Sequence, residues 1–180
     1  MAWSAPMTAV ANSTFTAAQF NEYVRDNLNE TAPAKATAAS GYFVGDGVNS
    51  IAERRAVTNL ELGEGTTTST EYTSLNTPAN IGPSVTLETG PAALVIVRCS
   101  AQNSGAGSAR MAYEVSGATS LAPADNRGVG FFGAADGNIN ASDVSLWTAL
   151  NPGINTFSAR YRVSSGTGTF QSRRIIVMPF

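Results

Sequence analysis

Apolar and polar residues alternate along the whole of Phe157-Ser158-Ala159-Arg160-Tyr161-Arg162-Val163. A period of two is the period of a β-strand, in which successive side chains point to opposite faces of the sheet. One face of this strand is therefore predicted to contact a core, while Arg160 and Arg162 share the other face. Such a strand needs neighbouring strands and a second layer that covers its apolar side.

Strand-like segments bounded by turn residues continue on both sides of this one, from position 66 to the end of the chain. Eight strands in a segment of this size are typical of an antiparallel sandwich, and we predict a jelly-roll-like one. Residues 92–99 and 175–178 are apolar at successive positions, so we expect loops or a neighbouring subunit to cover their outer face. The strands are predicted at 66–75, 84–89, 92–101, 109–117, 127–133, 143–150, 154–163 and 169–179.

A helix is predicted near the N-terminus, where Thr16 and Gln19 have the spacing of a capping box. Phe15 and Phe20 occupy the two positions of a hydrophobic staple around the same helix start. The helix continues for three to four turns, because Phe20, Val24 and Leu28 recur at four-residue spacing and Pro33 restricts the residue before it.

Residues 1–40 are predicted to form an N-terminal arm, this helix and a low-complexity linker over 31–40. A single helix of this length is marginally stable in water, so its apolar stripe needs a partner, either another copy of the chain or another protein. The residues assigned to anchoring or oligomerisation are Trp3, Phe15, Phe20, Val24 and Leu28.

Residues 41–65 are predicted to form a short hairpin around Gly45-Asp46-Gly47, followed by a connector that Leu60 and Leu62 anchor. The sandwich domain is then expected to span residues 66–180. The fold class is therefore mainly β, with an N-terminal arm and one short α-helix before the sandwich.

The composition excludes several functions. The chain has no histidine, which removes the usual general base and the Ser-His-Asp and Cys-His nucleophile systems, so we predict that it is not an enzyme. The net charge is −2 and no basic cluster is visible, which argues against a nucleic-acid partner. No apolar run reaches membrane-spanning length, and no secretion signal is visible. Cys99 lies in an apolar run and is expected to be a buried, inert thiol.

No metal or cofactor is predicted. Residues 136–140 match the opening of a calcium loop, but Ala141 and Trp147 occupy positions that need glycine and a bidentate glutamate, so a turn is favoured. Asp136 and Asp143 are weak candidates for a glycosidase pair, because nothing indicates a raised carboxyl pKa or a cleft. Arg160 and Arg162 are candidates for a ligand-binding or interface face, which would pair with acids across a sheet or subunit boundary or bind an anionic glycan. The favoured alternative is a solvated or interface face.

The stretch 15–28, with Val24-Arg25-Asp26-Asn27 near its end, resembles the N-terminal segment of structural proteins of actinobacterial tailed phages. Those proteins open with a tryptophan-bearing arm and enter a helix through Thr-Ala-Ala-Gln, as residues 16–19 do here. Residues 34–55 are similar to their linker and short tag, and the segments 150–157 and 166–170 resemble their β-sandwich.

The resemblance implies a virion component, made in the host cytoplasm, without fixing its location on the particle. Because the chain is short, has a single outer domain and lacks long repeats, we expect a capsid decoration or head-fibre protein displayed on the particle surface. Its partners would be other copies of itself, in a homotrimer, and capsid or tail proteins of the virion. The alternative is a minor tail or tail-fibre protein that recognises a host-surface glycan.

Overall fold

The structure is a computed structural model that describes residues 3–76, 79–80, 82–133 and 137–180. It is mainly β, with 52% of residues in strands and 10% in helices, which confirms the predicted fold class. Contacts divide the chain into two compact units, one formed by the first 55 residues with Phe180 and the other by Ala56–Pro179. No helix within the described ranges is long and apolar enough to cross a membrane.

The helical part of the N-terminal unit consists of consecutive short segments. The α-helical turn α1 (Ala17–Phe20) continues into a π-helical stretch (Asn21–Asp26) and then into α2 (Asn27–Asn29). A separate turn, α3 (Ala32–Lys35), follows, so the predicted linker is partly helical. Pro33 is accommodated there because backbone N–H groups in the first turn of a helix have no intrahelical acceptor.

A hairpin completes the N-terminal unit, as predicted. Strands β1 (Tyr42–Gly47) and β2 (Ser50–Arg54) pair antiparallel, with Val48 and Asn49 at the turn. The predicted turn residues 45–47 instead belong to β1, where the register shifts between Gly45 and Gly47. Asn49 takes the positive φ of 56° that this tight turn requires, a conformation that asparagine tolerates better than most residues.

The second unit is a two-layer sandwich. Its strands are β3 (Val57–Glu61), β4 (Gly65–Thr67), β5 (Leu75–Asn76), β6 (Ala79–Asn80), β7 (Ser84–Thr89), β8 (Ala93–Asn103), β9 (Ser108–Gly117), β10 (Gly128–Phe132), β11 (Asn138–Trp147), β12 (Gly153–Val163) and β13 (Gly168–Pro179). The first sheet has the order β11-β8-β13-β3, with β4 also paired to β13, and the second has the order β10-β9-β12-β7. β5 and β6 pair only with each other.

The connectivity is that of a jelly roll. If the eight main strands β3 and β7 to β13 are counted from one to eight in chain order, the first sheet reads 6-3-8-1 and the second reads 5-4-7-2. Strands one to four and strands five to eight each alternate between the sheets, while strands four and five (β9 and β10) are neighbours in the second sheet. This is the arrangement of two interleaved Greek keys, and the pairings described between these strands are antiparallel.

The core lies between the two sheets and is built from the inward positions of each strand. The heptapeptide 157–163 lies in β12, and its apolar residues face the core as predicted. The two sheets contribute alternating inward side chains, among them Val95, Val97, Ile175 and Val177 from the first sheet and Met111, Tyr113, Phe157 and Tyr161 from the second.

The sandwich begins earlier than predicted. The segment expected to be a connector contains β3, which pairs with β13, whereas only Gly65–Thr67 of the predicted strand 66–75 is a named strand in the main sheets. Leu60 and Leu62 do not anchor this segment, because both are exposed. The boundary between the two compact units falls after Arg55 instead of at residue 65.

Candidate functional site

The helix start has the predicted capping geometry. The backbone N–H of Gln19 donates to Thr16 Oγ1 over 3.2 Å, and the backbone N–H of Thr16 donates to Gln19 Oε1 over 2.9 Å. The rings of Phe15 and Phe20 meet edge to face with centroids 6.2 Å apart, as a hydrophobic staple requires. Four residues around position 16 therefore fix where the helix begins.

Most of the apolar residues assigned to anchoring lie on the surface of the N-terminal unit. Phe15 is 50% exposed, Phe20 48% and Leu28 59%, while Val24 is half-buried. Trp3, from the arm, is also exposed. We call the exposed residues Trp3, Phe15, Phe20 and Leu28, with Val24 beside them, the attachment surface. A groove of about 380 Å³ runs beside it, lined by Met7, Val10 and Phe15 among others.

Asn27 holds the arm against the helix. It is buried, its Oδ1 accepts from the Ser4 amide over 2.8 Å, and its Nδ2 donates to the carbonyls of Ser4 (3.1 Å) and Tyr23 (3.2 Å). The Trp3 amide donates to the Asn49 carbonyl in the hairpin turn over 2.9 Å. Asn27 ends the motif Val24-Arg25-Asp26-Asn27, but the motif does not predict this role. The sequence signal for this role is limited to the position of Asn27, a polar residue next to the apolar stripe of the helix.

The expected linker is tied to the hairpin by side chains. Lys35 Nζ donates to the Ile51 carbonyl over 2.9 Å and pairs with Glu30 over 2.7 Å. The amide and hydroxyl of Thr37 both donate to Glu53 Oε2 over 2.6 Å, and these hydrogen bonds lower the pKa of Glu53. Arm, helix, linker and hairpin thus form one folded unit, which presents the attachment surface on a supported helix.

The second candidate, the face of Arg160 and Arg162, lies on the outer side of the second sheet. Arg162 lies opposite Arg110 in the ladder between β12 and β9, so two positive charges are adjacent. Asp125 compensates them, because it accepts from Arg162 Nε (2.9 Å) and Nη2 and lies 3.5 Å from Arg110 Nε. The Tyr72 hydroxyl also donates to Asp125 over 2.9 Å. We call these four residues the Asp125 cluster.

The electrostatics of the Asp125 cluster follow from these contacts. The Arg162 hydrogen bond, helped by Tyr72 and Arg110, lowers the pKa of Asp125. Burial, reinforced by the hydrogen bond to Asp125, raises the pKa of Tyr72 to about 12. Asp125 and Arg162 are therefore charged at neutral pH, and the neutral Tyr72 hydroxyl donates a hydrogen bond to Asp125.

Arg160 is also paired within the chain. Its Nη2 donates to Glu114 on the neighbouring strand β9, and its Nη1 donates to Ser74 Oγ over 3.1 Å. Arg110 stacks over the ring of Phe132 with 4.2 Å between the guanidinium carbon and the ring centroid, and Phe132 is 64% exposed. The structure thus pairs Arg160 with an acid on the neighbouring strand and Arg162 with an acid from a turn, and it adds an exposed aromatic ring nearby.

The calcium-loop candidate is mostly strand. Asn138 and Asn140 lie in β11 and accept hydrogen bonds from Ser100 and Arg98 of β8, so their oxygens are used across the ladder. Asp136 lies outside the described residues. Among the residues that are described, no group of three or more acidic, cysteine or histidine side chains is placed to hold a metal ion. Cys99 is buried, and burial raises its pKa to about 12.

No family model and no curated protein matches this sequence. What the chain does is therefore inferred from the two surfaces described above and from the motif in residues 15–28.

Proposed function

We propose that this chain is a non-enzymatic structural protein of a phage particle, a capsid decoration or head-fibre protein whose N-terminal unit attaches to the particle and whose sandwich is displayed. The observation that carries the proposal is the attachment surface, where the chain leaves about half of Phe15, Phe20 and Leu28 uncovered. The resemblance of residues 15–28 to phage structural proteins supports the same assignment.

The attachment surface suits a binding role on energetic grounds. Full burial of a Phe or Leu side chain is worth about 1.5–3 kcal/mol, so covering the exposed half of three such residues yields roughly 2–4 kcal/mol. That is a weak anchor for one copy. Several linked copies would bind far more tightly through avidity, which fits the homotrimer that the resemblance implies.

The location is tested by labelling particles purified from the source culture with gold-conjugated antibody against the sandwich and viewing them by electron microscopy. Gold over the head is the expected result. Gold confined to the tail would reject the decoration role in favour of the minor tail assignment, and particles free of the protein by mass spectrometry would reject both.

The attachment surface is tested by replacing Leu28 with serine in the full chain and measuring the copies per particle by quantitative mass spectrometry. Leu28→Ser should reduce incorporation severalfold, because the side chain loses its apolar contact with the particle. The matched control is Val48→Ser, since Val48 is exposed in the hairpin turn of the same unit but lies outside the attachment surface. Equal incorporation of both variants would show that attachment uses another surface.

The alternative, a receptor-binding protein that recognises a host-surface glycan, is favoured by one observation. The exposed ring of Phe132 beside Arg110 and the Asp125 cluster offers a stacking surface next to charged hydrogen-bonding groups. In this case Phe132→Ala should abolish binding on a glycan array, whereas Ile154→Ala, an equally exposed apolar position of the sandwich, should not. Absence of any glycan signal with the native protein would count against this alternative.

A further inference from the structure

Strand β11 forms one edge of the first sheet, and none of the described strands pairs with its free side. It is the longest of the four edge strands of the two sheets, with ten residues, against five in β3, five in β10 and six in β7. Its ladder with β8 runs from Asn138 to Trp147 with no shift in register. At about 3.4 Å per residue this edge is roughly 34 Å long.

This edge lacks most of the features that usually prevent strand pairing. Natural sheets protect their edges with prolines, bulges, lysines or inward-pointing charges. β11 contains no proline, lysine or arginine, and its ladder has no bulge. Its one charged residue, Asp143, lies on the core side with Ala141 and Trp147 and accepts a hydrogen bond from Ser145 over 3.1 Å. The unpaired backbone groups of such a strand are a template for another extended strand.

The outer face of the sheet next to this edge is apolar. Val144 is 58% exposed and Leu146 62%, and they lie opposite Ile96 and Leu94 in the ladder with β8. Ile176 and Met178 of β13 extend the same patch, because they lie opposite Ile96 and Leu94 on the other side of β8. The apolar runs 92–99 and 175–178 predict that this outer face is covered. In the structure the Val144 and Leu146 side chains on this face remain exposed.

The side-chain pattern of β11 fits a second copy of itself. Consider an antiparallel pair of β11 strands related by a two-fold axis at Val144. A residue that precedes Val144 by a given number of positions then lies opposite the partner residue that follows Val144 by the same number. Val144 then faces the partner copy of itself, Ser142 faces Leu146, and Asp143 faces Ser145. No like charges meet, and seven residues on each side, 141–147, overlap. An axis at Asp143 would instead bring two carboxylates together, which is unfavourable.

We propose that two copies of this chain associate through β11, edge to edge and antiparallel about a two-fold axis at Val144, joining their first sheets into one continuous sheet. The apolar patch formed by Val144 and Leu146 becomes continuous across the axis. This contact is independent of the attachment surface and of the proposed function.

The mass of the full-length protein in solution tests the proposal, measured by sedimentation velocity at about 50 µM, where a contact of micromolar affinity is occupied. The native protein should have twice the mass of Val144→Lys and of Leu146→Lys, because lysine replaces the apolar side chains that meet near the axis and adds two positive charges there. Ile154→Lys, at an equally exposed position on β12 in the other sheet, should keep the native mass. Circular dichroism checks that each variant is folded.

If the N-terminal helix also makes trimers, pairing of trimers through β11 should give a native mass at least twice that of the variants, so the two forms of association are distinguishable. Leu28→Ser, which tests the attachment surface, should leave the β11 contact intact. A native mass equal to that of folded Leu146→Lys would overturn the proposal.

A cysteine at the axis tests the register. Directly opposed residues of antiparallel strands have Cα atoms about 4.5–5.5 Å apart, within disulfide range. Val144→Cys should therefore form a covalent dimer on a non-reducing gel, and Leu146→Cys should not, since its partner is Ser142. The native Cys99 is fully buried and does not interfere. A cross-link in Leu146→Cys without one in Val144→Cys would overturn the axis at Val144.

Discussion

Arg173 is fully buried in the sandwich and is the largest of its buried side chains. Its guanidinium donates to the carbonyls of Gly63 (3.2 Å) and Gly82 (3.3 Å) and to the Tyr161 hydroxyl (3.4 Å), and it lies over the Tyr161 ring at 5.7 Å. Within the described part of the chain, no carboxylate forms a salt bridge with it. Carbonyl dipoles and an aromatic face therefore stabilise this charge.

Truncation of Arg173 is expected to destabilise the sandwich strongly. Arg173→Ala leaves a cavity and removes the side-chain donor to the Gly63 carbonyl, so the free energy of unfolding should fall by about 3 kcal/mol or more. Arg173→Met fills more of the volume and should lose less. Urea denaturation of both variants measures the difference. A stability for Arg173→Ala equal to that of the native protein would show that the buried charge contributes nothing net.

Asp125 makes the stability of the native protein depend on pH. Its pKa is lower in the folded chain than the value of about 3.9 in an unfolded one, so its contribution is present above pH 4 and is lost as the pH falls through the folded pKa. The side chain is 42% exposed, which limits the contribution to about 1 kcal/mol or less.

Asp125→Asn removes this pH-dependent contribution to stability. The variant should be less stable than the native protein at pH 7 and should approach it below pH 4, as thermal unfolding at both pH values would show. Glu88→Gln provides a control, because Glu88 is exposed and lies outside the Asp125 cluster. A difference between native and Asp125→Asn that is constant from pH 7 to pH 3 would contradict the assignment.

The period of two placed Arg160 and Arg162 on one face, but it did not reveal what neutralises them. Asp125 is separated from Arg162 by 37 positions, and Tyr72 lies 53 positions before Asp125. Both come from irregular segments that cross the outer face of the sheet, and local patterns carry no information about such pairings. The attachment surface was predictable to a greater extent because the capping box and the staple are short-range signals.

Strand β13 contains a bulge that shifts by one residue which of its side chains face the core. Ser172 and Arg173 together lie opposite the single residue between Arg98 and Ser100 of β8, and Ser172 has a φ of 49°. Phe170 faces the core on one side of the bulge, and Arg173, Ile175 and Val177 face it on the other. The extra residue thus keeps both halves of a twelve-residue strand directed at one core.

Ser172→Gly is expected to stabilise the sandwich. A side chain in the left-handed region costs roughly 1–2 kcal/mol, and glycine avoids this cost while losing about 0.5–1 kcal/mol through the greater entropy of the unfolded chain. A net gain of about 0.5–1 kcal/mol should appear in urea denaturation. Ser116→Gly, at an exposed position of β9 outside any bulge, should instead lose about 0.5–1 kcal/mol. Destabilisation of the same size in both variants would contradict this account of the bulge.

The long strands were predictable and β3 was not, for a physical reason. Seven of the eight predicted strands overlap β7 to β13 over most of their length, because apolar residues recur along them between turn residues. In β3 the alternation is reversed. Leu60 points outward, while Asn59 faces the sandwich side and donates to the Ser84 carbonyl over 3.0 Å. A polar inward residue satisfied by a distant backbone carbonyl leaves no periodic pattern in the sequence.

The division of the molecule into two units also differs from the sequence-based boundaries at 40 and 65. The composition of residues 31–40 indicates a linker, yet Lys35 and Thr37 bind the hairpin through Ile51 and Glu53. Those contacts join residues 16 positions apart, and the composition of residues 31–40 carries no information about contacts at that separation. The hairpin therefore belongs with the helix, and the short segment between β2 and β3 is where few interactions cross.

Limited proteolysis tests this division. Arg55 is exposed and lies between β2 and β3, whereas the arginines of the sandwich lie mainly in strands or in hydrogen-bonded clusters. Trypsin should therefore cleave first after Arg55 and leave a resistant fragment that begins at Ala56, because a protease needs an extended segment that can leave the fold at little cost. Mass spectrometry of a digestion time course identifies the fragment.

Two controls make the result decisive. Arg55→Gln should slow release of the fragment, since the preferred bond is lost while the fold is unchanged. The isolated fragment should keep the β-sheet circular dichroism spectrum and unfold cooperatively, because the jelly roll contains its own core. Early cleavage after Arg98 or Arg127, or loss of cooperative unfolding in the fragment, would show that the sandwich depends on the N-terminal unit for its stability.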